Sequence, residues 1–164
     1  MKTLLLIRHA NSSWASAPQS DFERPLNERG LHDAPLMAGR LQKHKLRPDL
    51  FISSTAIRAR QTASLMALEW EQKQQPSIAW AEKLYLASPE VIEETLCEMN
   101  NQYNCVALVA HNPGITDYAN RLTQVRIDNM PTCSVFAVLI HANNWKDIAT
   151  AKKEFLLFDY PKNK

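Results

Sequence analysis

Short apolar runs alternate along the chain with stretches in which apolar residues recur every three or four positions. Thr3 to Ile7, Leu50 to Ile52, Ile78 to Trp80 and Cys105 to Ala110 read as strands, the first and last continuous enough for a parallel sheet covered on both faces. Between them lie helical patterns. Asn27 and Glu28 open one that runs to about His44, with Pro35 predicting a late start or a kink. Ala59, Ala63 and Met66 line one face of a second, and Ser88-Pro89 opens a third with Ile92, Leu96 and Met99 inward. Asn112 reads as an N-cap before a first-turn Pro113, opening a fourth with Ile115, Ala119 and Leu122 inward. The order βαβαβαβα predicts right-handed crossovers and a mostly parallel sheet with helices on both faces. Val135 to Ile140 and Phe155 to Phe158, around a turn at Asn143-Asn144, predict an antiparallel pair near the C-terminus. The expected fold is α/β, a three-layer α/β/α arrangement. Without repeats, low-complexity stretches or a linker, residues 1–164 read as a single domain.

Composition changes this picture little and charge even less. The 164 residues are 45% apolar and 22% charged, with 19 Lys+Arg against 17 Asp+Glu, and the net charge of +2 provides no field that argues for nucleic acid. Cys105 to Ala110 and Val135 to Ile140, the longest apolar runs, fall far short of the ~20 residues that span a bilayer. The apolar stretch before Arg8 is also shorter than the core of a signal peptide, so no membrane association and a cytoplasmic location are expected. Cys97, Cys105 and Cys133 are odd in number and set among apolar neighbours, which reads as reduced packing residues. None has an arginine six positions on, so a Cys-x5-Arg phosphatase loop is excluded, and no metal-ligand spacing or cofactor motif occurs. Trp14, Trp70, Trp80 and Trp145 read as packing residues, His32, His44 and His141 as surface or capping residues, and Lys162 to Lys164 as a frayed tail.

Glycine is the informative residue. Gly30, Gly39 and Gly114 stand too far apart for a G-x-G-x-x-G fingerprint or a P-loop. If phosphate is handled here, side chains must supply what backbone N–H groups supply in those loops. Ligands of open α/β sheets gather beyond the carboxyl ends of the strands. There the chain places Arg8-His9-Ala10-Asn11, then Ser53-Ser54 followed by Arg58 and Arg60, then His111-Asn112. Such a cationic cluster repels itself unless an anion fills it. A phosphoryl group fits, because each charge-assisted arginine bond contributes about 1.5–3 kcal/mol. A mostly neutral imidazole is a competent nucleophile at pH 7, and Arg8 beside His9 favours that neutral form.

Leu6-Ile7-Arg8-His9-Ala10, Ser53-Ser54-Thr55-Ala56-Ile57-Arg58-Ala59-Arg60-Gln61-Thr62-Ala63 and Val109-Ala110-His111-Asn112-Pro113 resemble the three signatures of the histidine phosphatase superfamily, whose fold is of the phosphoglycerate mutase type. Asp21-Phe22-Glu23-Arg24-Pro25-Leu26-Asn27-Glu28-Arg29-Gly30 and the small size are most similar to the SixA-type phosphohistidine phosphatases. The resemblance implies that His9 takes up the phosphoryl group while Arg8, Arg58 and His111 bind its oxygens. It sets Asp21 and Arg24 beside the pocket as substrate-orienting residues, against the alternative of a local salt bridge that shapes the loop. Ala10 stands where many members carry glycine, so no positive φ is expected there.

A second departure bears on substrate. Many members acting on small molecules place a glutamate after the third strand to protonate the leaving oxygen, and in Glu82-Lys83-Leu84-Tyr85 that place falls to Tyr85. General acid catalysis supplies about 10²–10⁴ in rate, so its loss hurts an alkyl ester far more than a P–N bond, whose imidazole leaving group can carry its own proton. Asp21, Glu23 and Glu82 remain as substitute donors. The expected function is phosphohistidine hydrolysis on a phosphorylated protein, a phosphotransfer domain or phosphocarrier, through a phosphohistidine on His9. The alternatives are a small-molecule phosphomonoesterase using Glu23 or Glu82, and a non-catalytic phosphoprotein-binding module. With no long insertion to cover the strand ends, the pocket is expected to be shallow and open.

Overall fold

A computed structural model describes residues 1–14 and 19–163. Six strands, β1 (Lys2–Arg8), β2 (Leu50–Ser53), β3 (Ser77–Trp80), β4 (Cys105–Ala110), β5 (Val135–Ile140) and β6 (Lys153–Asp159), form one sheet in the order β3-β2-β4-β1-β5-β6. The first four are mutually parallel where they pair, and β5 and β6 run antiparallel, as the pattern predicts.

Alternation along the central strands decides which helix goes to which face. Leu5 and Ile7 of β1 and Ala107 and Val109 of β4 share a buried cluster with α1 (Glu28–Lys43) and α2 (Ile57–Ala67). Leu4, Leu6, Val106, Leu108 and Ala110 face the other way, onto α3 (Pro89–Cys97) and α4 (Gly114–Leu122). Continuous apolar strands are thus read out as two cores, giving the three layers. Among the described residues no helix is long and apolar enough to cross a membrane.

Several local expectations need correction. Helix α1 starts at Glu28 and continues through Pro35 to Lys43. An interior proline costs about 3 kcal/mol, which is offset here by the Asn27 side chain capping Gly30 N–H and by burial of Ala34, Met37, Ala38 and Leu41. Asn112 does not cap α4. Its Oδ1 accepts from the Thr116 hydroxyl, and its Nδ2 donates to Asn129 Oδ1 and Met130 O, so it ties two loops together. Trp70 and Trp145 are buried, but Trp14 and Trp80 are 87% and 45% exposed, lying under the guanidinium groups of Arg24 and Arg60 respectively. The tail is anchored as far as Asn163 by Arg40, which donates to Tyr160 O and Pro161 O; Lys164 lies outside the described residues.

Candidate active site

Strands β1, β2 and β4 end side by side, and the residues that follow them meet at that edge. His9 N–H donates to Ala110 O at 3.2 Å, joining the ends of β1 and β4. Cys133 N–H lies 3.0 Å from both Arg8 O and His9 O, and Arg8 N–H donates to Ser134 O. Cys133 holds this position at φ 62°, a left-handed conformation that is costly for a residue with a side chain. On the other side Thr62, fully buried in α2, accepts from Ala10 N–H at 2.9 Å and donates to Arg58 O at 2.8 Å. The backbone around His9 is therefore fixed from both sides. Ala10 needs no positive φ, as expected, since Lys45, Leu86 and Cys133 are the positive-φ residues among those described.

The tautomer of His9 follows from its partners. Nδ1 lies 2.8 Å from Ala10 O, and a carbonyl can only accept, so Nδ1 carries the proton. Nε2 is left with its lone pair, which accepts from Arg58 Nε–H at 3.3 Å. His9 is 6% exposed, and burial, reinforced by His111, Arg58 and Arg8, pushes its pKa down to about 3 against the upward pull of Ala10 O. The imidazole is neutral at any working pH.

His111, 2% exposed, stands with its ring centroid 5.1 Å from that of His9. Its Nε2 lies 2.8 Å from Ser54 Oγ, which also accepts from Ala56 N–H at 3.2 Å. His111 Nε2 is the acceptor within reach of the Ser54 hydroxyl proton among the described residues, so that proton goes to Nε2 and the imidazole proton sits on Nδ1. Nδ1 is buried and has no partner among the described residues. Burial, with Arg58 next, pushes the pKa of His111 down to about 3 as well.

The arginines have different surroundings. Arg8 donates Nη1 to Met130 O at 3.0 Å, while its buried Nε has no partner among the described residues. Arg58, 2% exposed, is fully engaged: beyond His9, Nη1 donates to Asp21 O at 2.7 Å and Nη2 to Asp21 Oδ2 at 3.1 Å. Arg24 Nε pairs with Asp21 Oδ1 at 3.2 Å, and Tyr85 donates its hydroxyl to Asp21 Oδ2 at 2.5 Å. The Tyr85 hydrogen bond, with Arg58 and Arg24 behind it, holds the Asp21 carboxyl below the usual carboxylate range. Burial, then the Asp21 carboxylate, raises the tyrosine pKa.

The six residues singled out from sequence are thus brought together: Arg8, His9, Asp21, Arg24, Arg58 and His111. Asp21 and Arg24 do form the local salt bridge weighed against a substrate role, and Asp21 also reaches into the pocket. The pocket is not open in the way expected. The segment around Asp21 crosses the strand ends, pinned by Arg58 and by Ile57 N–H donating to Phe22 O at 3.1 Å. A few residues suffice because Arg58 supplies two donors to hold them, one to the backbone and one to the side chain of Asp21. Glu23 is turned back onto Ser20, Glu82 is exposed, and Arg60 lies over Trp80. The sequence reading gave no role to Ser54, Thr62 or Cys133. The first two lie inside the second motif, where buried hydroxyls between two strand ends were the available signal. Among the described residues no group of three His, Cys, Asp or Glu side chains could hold a metal ion.

Comparison with known proteins gives the family and the fold. The family model of the histidine phosphatase superfamily (branch 1) matches residues 4–86. An uncharacterized protein of Mycobacterium tuberculosis is 28% identical over 165 residues, covering 95% of this chain and 100% of the relative. The crystal structure of a candidate phosphohistidine phosphatase SixA from Agrobacterium tumefaciens superposes with a TM-score of 0.80 at 25% identity and covers 98% of both chains. The protein histidine phosphatase SixA complexed with tungstate shares the fold, with a TM-score of 0.77 at 19% identity over 97% of each chain.

Proposed function

The chain belongs to the histidine phosphatase superfamily, and we propose that within it this phosphatase removes the phosphoryl group from a phosphohistidine on another protein. The observation that carries the reading is the state of Asp21, whose carboxylate shares Arg58 with His9. Asp21, bonded by Tyr85, Arg58 and Arg24, is an anion at neutral pH and has no proton to give a leaving oxygen. Glu23 accepts from the Ser20 hydroxyl, and Glu82 is exposed, its carboxylate making no hydrogen bond to a pocket residue among those described. A leaving group that brings its own proton, as an imidazole does, loses nothing by this, whereas an alkoxide forfeits a factor of about 10²–10⁴.

In the proposed reaction Arg58 Nε releases His9 Nε2, whose lone pair attacks phosphorus in line while the substrate P–N bond breaks and its imidazole leaves protonated. Arg8 Nε, His111 Nδ1–H and Arg58 take the equatorial oxygens, where the charge spreads in the transition state. Water then attacks the phosphohistidine on His9, the new P–N bond breaks with its electron pair returning to Nε2, and both protons of the water leave with the inorganic phosphate as dihydrogen phosphate. Ser54 and Thr62 act through other groups, fixing the tautomer of His111 and the backbone after His9.

Turnover of a phosphohistidine-bearing phosphotransfer domain, a phosphoserine peptide and a sugar phosphate by purified protein tests this reading. Only the first is expected to be consumed efficiently, with a phosphoryl adduct visible by intact mass at alkaline pH in wild type and missing from His9→Ala. Preferred turnover of the sugar phosphate would establish the monoesterase reading instead, and tight binding of the phosphoprotein without turnover would establish the binding-module reading.

A further inference from the structure

Two donors converge on a single oxygen at the mouth of the pocket. Asp21 Oδ2 accepts from Arg58 Nη2 at 3.1 Å and from the Tyr85 hydroxyl at 2.5 Å. That oxygen belongs to an anion, and one of its two donors is the arginine that also touches the nucleophilic nitrogen of His9. A phosphoryl oxygen has the same charge sign and accepts hydrogen bonds at similar distances. The carboxylate therefore occupies ground that suits one oxygen of a phosphoryl group seated on Arg58.

Tyr85 is built into this wall. Its ring packs edge-on against His111, with centroids 5.4 Å apart, and against Phe22, with centroids 5.0 Å apart. The contact with His111 sets the hydroxyl on the same side of the pocket as the two imidazoles. Asp21, by contrast, can leave. Its side chain is 49% exposed, and Arg24 can follow it outward as its counter-ion.

We propose that the Tyr85 hydroxyl is a ligand of the transferring phosphoryl group, and that Asp21 yields this place when the phosphoryl group enters. The proposal rests on the reading of His9, Arg58 and His111 as the phosphoryl site, and not on which molecule brings the phosphoryl group. Tyr85 then stands where many relatives have a proton-donating glutamate and supplies a hydrogen bond in place of a proton. A hydroxyl kept neutral by burial and by a neighbouring anion stabilises charge on phosphorus oxygens without protonating a leaving group.

Calorimetric titration of tungstate, a tetrahedral oxyanion, into wild type, Tyr85→Phe, Asp21→Ala and the double variant tests this. Phenylalanine keeps the ring contacts and removes the hydroxyl. Because the hydroxyl bonds Asp21 before the anion enters and the anion afterwards, we expect Tyr85→Phe to change tungstate affinity little in wild type, Asp21→Ala to strengthen binding, and Tyr85→Phe to weaken it about tenfold in the Asp21→Ala background. The proposal is overturned if Tyr85→Phe leaves affinity unchanged or improves it once Asp21 is removed, because the hydroxyl would then serve only Asp21, or if Asp21→Ala fails to strengthen binding. Failure of the substrate reading shows instead in the turnover comparison and does not alter these affinities.

Discussion

Acidification from pH 7 to pH 5 should destabilise the folded protein through two buried imidazoles before its carboxylates matter. His9 and His111 have pKa values pushed down to about 3 from an ordinary value of about 6.5. The unfolded chain therefore binds these two protons more tightly than the folded one. Stability from this source is fully present above about pH 6.5 and drains away as pH falls towards 3. Over the interval down to pH 5 the loss is about 1.4 kcal/mol per pH unit below 6.5 for each group, about 2 kcal/mol per imidazole and about 4 kcal/mol for the pair. That is a large share of the ~5–15 kcal/mol that separates folded from unfolded domains of this kind. Asp21 adds nothing in this window, because its depressed pKa makes its own contribution fall away only at lower pH. The assay is urea unfolding followed by tryptophan fluorescence at pH 7 and pH 5, in wild type and in His111→Gln. Glutamine does not titrate, so the difference between the two pH values should shrink by about 2 kcal/mol in the variant, whatever the substitution itself costs. Equal pH dependence in the two proteins would refute the reasoning, since His111 would then titrate alike in folded and unfolded chains.

The three glycines should divide by what surrounds them. A Cβ at Gly114 would lie 1.8 Å from Ala87 O, and one at Gly30 2.1 Å from Asn11 O, so Gly114→Ala and Gly30→Ala should each lower the midpoint of thermal unfolding strongly; Gly39, with nothing within 4 Å inside α1, should accept alanine with a gain of roughly 0.5–1 kcal/mol. Ser54→Ala removes the partner that His111 Nε2 has among the described residues and frees the tautomer, so kcat for a phosphohistidine substrate should fall about tenfold or more, with a stability loss of about 1–3 kcal/mol from the unpaired Nε2 and Ala56 N–H; an unchanged kcat would remove Ser54 from the positioning role. Arg58→Ala should abolish measurable turnover while Arg60→Ala, whose guanidinium lies on Trp80, should keep it, and steady-state rates that reverse this order would show that the phosphate clamp has been misplaced.

The sheet and helices were legible because both periodicities are strong where both faces are buried: every residue from Leu4 to Ile7 meets a core. Strand ends were legible too, since the fold rule that ligands sit beyond them gathers Arg8, His9, Arg58, Arg60 and His111 into one cluster, from which the family resemblance selects Arg58 over Arg60. What failed was conformational detail set by tertiary partners. Asn112 followed by proline satisfies the statistics of a helix start, yet its amide is drawn to Asn129 and Met130, residues distant in sequence. Cys133 carries no signal of a left-handed residue, and its conformation follows from the two carbonyls its N–H serves. Covering of the pocket was missed for a related reason. Counting insertions measures how much chain is available, whereas closure here depends on the three hydrogen bonds that Arg58 makes to His9 and Asp21.

That dependence follows from the scarcity of glycine. A phosphate cradle of backbone N–H groups is neutral and tolerates burial, but one made of side chains concentrates guanidinium charge, and burial, with Arg58 adding to it, depresses the pKa of Arg8, His9 and His111 alike. The cost is contained in two ways. The histidines stay uncharged, so the cluster carries only the charge of its arginines, and Asp21 brings a carboxylate to Arg58 and Arg24 together. The same contacts then make the site selective. On the proposed reading, any anion that replaces Asp21 on Arg58 must offer more than one carboxylate does, as a phosphoryl group would with three oxygens spread among Arg8, Arg58 and His111. Singly charged carboxylates free in solution cannot match the effective concentration of one tethered beside the pocket. A side-chain cradle held closed by its own acid would thus open to phosphoryl groups and stay shut to free carboxylates.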